Sequence, residues 1–95
     1  MAVGRAARRA ERRASVEAAF GGEQTAAAAL DLLELLEFAW HDCYAEITPD
    51  DQVIDDILTC AEGDLTQLIR YTRLAVEDFR DLRLAADAIR SGEAR

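Results

Sequence analysis

From Leu65 to Ile89 the chain places Leu65, Leu68, Thr72, Ala75, Phe79, Leu82, Ala86 and Ile89 at alternating steps of three and four. That is nearly four heptads of a and d positions, a period that fits an α-helix and no strand. Asp64 is placed to cap it, and Ile69 and Val76 widen the stripe. At ~1.5 Å rise per residue a helix reaching Arg90 is about 39 Å long. A stripe of that length must be covered by other helices, and this constrains the chain to an all-α fold.

Two further segments supply such helices. From about Glu23 to Ala45, the positions Leu30, Leu33, Leu36, Trp40, Cys43 and Ile47 follow three- and four-residue steps as a core stripe. Asp31, Glu34, Glu37, His41 and Asp42 fall on the other side, read as a solvated acidic face. Leu35 and Phe38 project toward that acidic side, so the apolar arc is wider than one buried face requires. Thr48-Pro49-Asp50-Asp51 then reads as a helix start, with Thr48 as cap and Pro49 in the first helical position. The short helix that follows presents Val53, Ile54, Ile57, Leu58 and Ala61 before Gly63 ends it.

The first twenty residues differ in charge. Arg5, Arg8, Arg9, Arg12 and Arg13 share one helical face, and Val3, Ala6, Ala7, Ala10 and Ala14 take the opposite one. This segment carries a net +3, whereas the whole chain carries −8. Gly21-Gly22 breaks the pattern. The sequence therefore divides into a basic amphipathic helix or arm, 1–20, and an acidic helical bundle domain, 21–95. The expected fold is a small antiparallel bundle of three core helices plus the basic N-terminal helix. Because the arm offers mainly alanine for contact, the core is expected to fold without it.

No run approaches the ~18 apolar residues of a spanning helix, and no apolar stretch follows the N-terminal arginines, so neither a membrane span nor a secretory signal is expected. Cys43 and Cys60 have no metal-type or redox-type spacing. They are expected as buried, reduced thiols in a cytoplasmic protein.

Three functional readings compete. The first is a non-enzymatic helical module for protein interaction or assembly. Both long helices keep apolar residues off their main stripes, which favours a homodimer, with Leu35, Phe38, Trp40, Tyr44 and Leu74 as the candidate interface. The second is a regulatory nucleic-acid binder that uses the five arginines against phosphate. The net charge opposes it, and the arginines are expected to dock on the acidic body instead. The third is a carboxylate–metal nucleotide hydrolase. Glu34-x-x-Glu37 resembles the first half of the E-x-x-E … E-x-x-D pattern of all-α nucleotide pyrophosphatases. The third helix offers Asp51, Asp55 and Asp56 without that second spacing, and Asp78-x-x-Asp81 lies some forty residues on. Glu37 and His41 are four apart, not three as in di-iron bundles, and His41 is the sole histidine. The turn Glu62-Gly63-Asp64 resembles a helix-turn-helix only coarsely, since acids crowd the following helix start. The sequence thus assigns no catalytic residue, cofactor site or metal site, and the chain is expected not to be an enzyme.

Overall fold

Side-chain caps at Asp50 and Asp64 and positive-φ residues at 21, 45 and 62 set several of the helix boundaries. The computed structural model describes residues 4–92. Among these there are four helices and no strand: α1 (Arg5–Phe20), α2 (Glu23–Tyr44), α3 (Asp51–Ala61) and α4 (Leu65–Arg90). α1 stops at Gly21, whose φ of 69° lets its N–H reach back to the Glu17 carbonyl. α2 ends on Ala45, which holds a left-handed conformation although it is not glycine. α3 ends on Glu62, also left-handed, followed by Gly63 at φ 77°. Asp64 caps α4 by accepting from Thr66 N–H at 2.9 Å, as the sequence predicts.

The start of α3 departs from expectation. Asp50, not Thr48, is its cap, with its side chain accepting from Val53 N–H at 3.0 Å. Pro49 lies outside the helix and is buried. A carboxylate is the stronger acceptor for that N–H, and the Thr48 hydroxyl is engaged elsewhere.

One core joins all four helices. On α2, Leu30, Leu33, Leu36 and Trp40 are buried as expected, but Cys43 and Ile47 are exposed. The buried line continues from Trp40 to Tyr44, one turn on, and the left-handed Ala45 then redirects the chain before Ile47. On α4, Leu68, Thr72, Ala75, Leu82 and Ala86 are buried, so the heptad reading locates the inner face.

The continuity of α4 is broken at Asp78, whose φ of −164° and ψ of 98° are extended rather than helical. The break supplies its own cap: Asp78 Oδ1 accepts from Arg80 N–H at 3.0 Å, as an N-cap does for a new helix. The Val76 carbonyl would otherwise take that N–H in the i to i+4 ladder. Instead it accepts from the Tyr44 hydroxyl at 2.9 Å, and the Ala75 carbonyl lies 3.3 Å from the same hydroxyl. Trp40, Tyr44 and Phe79 gather around this point, with the Trp40 and Tyr44 ring centroids 4.3 Å apart.

The expectation that α1 makes contact mainly through alanine is overturned. Ala6, Ala7, Ala10 and Ala14 face solvent, while Val16 and Phe20 are buried in the core. Two large apolar side chains in the last turns of α1, together with arginine–carboxylate pairs in its first turns, outweigh any alanine contact. Phe20→Ala is expected to lower the unfolding free energy by about 3 kcal/mol in urea titration, since it opens a cavity beneath α1. Tyr44→Phe removes the donor from the freed Val76 carbonyl and is expected to lower stability by about 1–3 kcal/mol in the same titration.

Candidate interaction surfaces

The most highly organised polar group in the molecule is Glu37. It is 3 % exposed. Arg8 forks onto it, Nε donating to Oε2 at 2.6 Å and Nη2 to Oε1 at 3.0 Å. Arg12 Nη1 donates to Oε2 at 3.0 Å, and the Thr48 hydroxyl donates to the same oxygen at 2.9 Å. Thr48 in turn accepts from Arg12 Nη2 at 3.0 Å. Three elements are thereby tied to one carboxylate: α1, α2 and the bend that leads into α3. Burial alone would raise the Glu37 pKa, but the hydrogen bonds from Arg8 and Thr48 and the Arg12 charge outweigh it and hold it below the usual 4.5.

This placement corrects the reading of Glu34, Glu37 and His41 as one solvated face. Glu34 meets Arg9 Nη1 at 3.3 Å, Glu37 is enclosed, and His41 stays exposed. Both carboxylates of Glu34-x-x-Glu37 are therefore held by arginines of α1. Among the described residues no group of three or more His, Cys, Asp or Glu side chains is arranged to hold a metal ion.

The five arginines separate into two sets. Arg8, Arg9 and Arg12 turn inward onto α2, with Arg9 donating to Asp31 Oδ1 at 2.8 Å. Arg13 is exposed, and Arg5 lies over the Phe38 ring at 4.3 Å from its centroid, 3.9 Å from Glu37. The docking of the arginine face on the protein's own acidic helix is thus realised.

Sequence reasoning missed a second buried carboxylate. Asp56 on α3 is fully buried and accepts from Arg83 Nε, from Arg90 Nη2 at 2.8 Å and from Gln52 Nε2 at 3.0 Å. Burial alone would raise its pKa, and these three donors lower it instead. Asp56 clamps the second half of α4 to α3, below the break at Asp78. The signal lay in its spacing, three residues after buried Val53 and four before buried Cys60.

The candidate interface residues also divide. Leu35 and Phe38 are exposed on α2, at 63 % and 51 %. Tyr44 and Leu74 are half-buried, and Trp40 is buried, its indole N–H donating to Glu46 at 2.9 Å. Ile47 is 72 % exposed and shares with Phe38 and Arg5 the border of an open recess of about 340 Å³. The cysteines differ from expectation as well. Both are free, but Cys43 is exposed; only Cys60 is buried, and its burial pushes the thiol up to about 11.

No protein-family model, characterised protein or solved structure matches the chain.

Glu37 and Asp56 both have folded pKa values below their ordinary ones of 4.5 and 3.8. Depressed carboxylates stabilise the fold fully above those ordinary values, and the contribution is lost as pH falls through the folded values. Stability measured by thermal melts is expected to fall steeply below about pH 4.5, and Glu37→Gln is expected to flatten that limb. At pH 7 the same substitution leaves two poorly exposed guanidiniums short of a counter-charge, at an expected cost of about 3 kcal/mol.

Proposed function

We propose that the protein is a non-enzymatic helical interaction module that self-associates through α2, with a second copy of this chain as the partner. In this reading each protomer is an antiparallel bundle and the assembly is a homodimer. The observation that carries it is the exposure of Leu35 and Phe38, one turn apart on the outer side of α2. Neither side chain is needed to cover the core, and with Ile47 they give this side of the molecule an apolar character.

A two-fold pairing presents one patch to its own copy, so the patch must be self-complementary. The border here carries both signs: Asp31 and Asp42 on α2, and Arg5 and Arg9 on α1. Fully burying a leucine or phenylalanine side chain is worth about 1.5–3 kcal/mol before the cost of association. The inward set of arginines also favours a structural part for α1, because their charge is spent on Asp31, Glu34 and Glu37. The two free thiols fit a reducing, cytoplasmic setting.

Sedimentation equilibrium at about 100 μM is expected to show a species of twice the 10.5 kDa chain mass. Leu35→Glu combined with Phe38→Glu is expected to return it to the monomer mass with unchanged helical circular dichroism. A native chain that sediments only at 10.5 kDa would remove the reading.

A further inference from the structure

α1 reaches the segments that flank α3 on both sides. At one end the Arg12 guanidinium donates to Thr48, just ahead of α3. At the other, the Ala19 carbonyl of α1 approaches Gly63 so closely that a Cβ there would stand 2.7 Å from it. Between these points the two helices frame an open groove of about 670 Å³. Half-buried Leu58 and the exposed edge of Ile54 give it apolar surface, and Glu11, Asp51 and Asp55 border it with carboxylates.

The charges along this groove are not equally committed. Arg8 and Arg12 border it too, but their guanidiniums are directed into Glu37. Asp55 is held by Arg90 at 2.8 Å, and Asp50 accepts from Val53 N–H. Among the described residues Glu11 and Asp51 make no ion pair, and both are exposed, one on each helix. The groove therefore offers a small apolar strip between two acids that make no ion pair, on a chain of net charge −8.

We propose that this groove seats a basic amphipathic helix from a partner protein, its apolar residues over Ile54 and Leu58 and its arginines or lysines at Glu11 and Asp51. Helix-in-groove recognition works through apolar anchors at i, i+3 or i+4 and i+7, with charges at the border fixing partner choice and orientation. The eleven residues of α3 make a wall about 16 Å long, which matches two to three turns of such a helix. The molecule already contains one instance of this chemistry, since α1 is a basic helix seated on the carboxylates of α2. Neither Leu35 nor Phe38 lines the groove, so its occupant is distinct from the copy proposed at α2.

The test uses the full chain and a fluorescein-labelled synthetic helix of about 18 residues, with leucines on one side flanked by arginines, titrated by anisotropy at physiological salt. Saturable binding below about 100 μM is expected. Glu11→Arg with Asp51→Arg is expected to weaken it roughly tenfold or more. Ser15→Trp, which fills the groove from an exposed position on α1, is expected to abolish it. Reversing two acids elsewhere, Glu23→Arg with Asp81→Arg, is expected to change it less than about twofold. Amide shifts on peptide addition are expected at Ser15, Ile54 and Leu58. The proposal is overturned by absence of binding, by equal loss in the two charge-reversed proteins, by equal binding of a glutamate-flanked peptide, or by shifts centred on Leu35 and Phe38. The last result would assign the peptide to the α2 patch and leave the self-association reading to its own test.

Discussion

Placing a carboxylate in a protein interior is costly unless charged donors surround it, and Glu37 shows what that requirement does to a whole fold. Its two oxygens receive Arg8 twice, Arg12 and the Thr48 hydroxyl. Each donor comes from a segment that must then stay in place. Arg8 and Arg12, one turn apart, fix which side of α1 faces α2. Thr48 fixes the path by which the chain leaves α2 and begins α3. The apolar anchors Val16 and Phe20 then set the depth of α1, but the carboxylate sets its rotation.

The same device recurs on the other side of the molecule. Asp56 gathers Arg83, Arg90 and Gln52, and so binds the last turns of α4 to α3. The two acids lie on the two middle helices, one securing the first helix and one the last. Between them α4 is divided at Asp78, and the division is fully compensated: a side-chain cap for the new N-terminus, a tyrosine hydroxyl for the freed carbonyl. Polar groups here do the work of alignment, whereas leucine, isoleucine and tryptophan supply most of the burial.

Much of the architecture was legible from spacing. The three- and four-residue steps locate the inner faces of α2 and α4, Asp64 announces the start of α4, and the exposed pair Leu35 and Phe38 follows from their position off the stripe. What escaped has identifiable causes. Glu37 occupies a regular step in the series Leu30, Leu33, Glu37, Trp40, Tyr44, yet a hydropathy reading assigns any glutamate to solvent. Asp56 escaped for the same reason. The inversion of α1 was hidden because arginine counts as polar, although opposite charge on α2 makes its arginine side the contact side. The break at Asp78 leaves the stripe in phase on both sides, so periodicity could not reveal it. Asp50 displaces Thr48 as cap because its carboxylate is the stronger acceptor and because Glu37 engages the Thr48 hydroxyl.

The close approach of Ala19 to Gly63 bears on which substitutions the chain can accumulate. Gly63 is left-handed, and any Cβ there would strike a backbone carbonyl that has no side-chain freedom with which to yield. Gly21 is also at positive φ, but nothing lies within 4 Å of where its Cβ would be. A side chain at 21 therefore meets only the conformational cost of its positive φ, which is paired with a ψ of −38° outside the left-handed helical region. At 63 the same cost is joined by a collision that only moving α1 away from the α3–α4 turn can relieve. Among sequences that drift while keeping this fold, a side chain at position 21 meets a backbone cost alone, whereas position 63 is confined to glycine for as long as α1 stays docked.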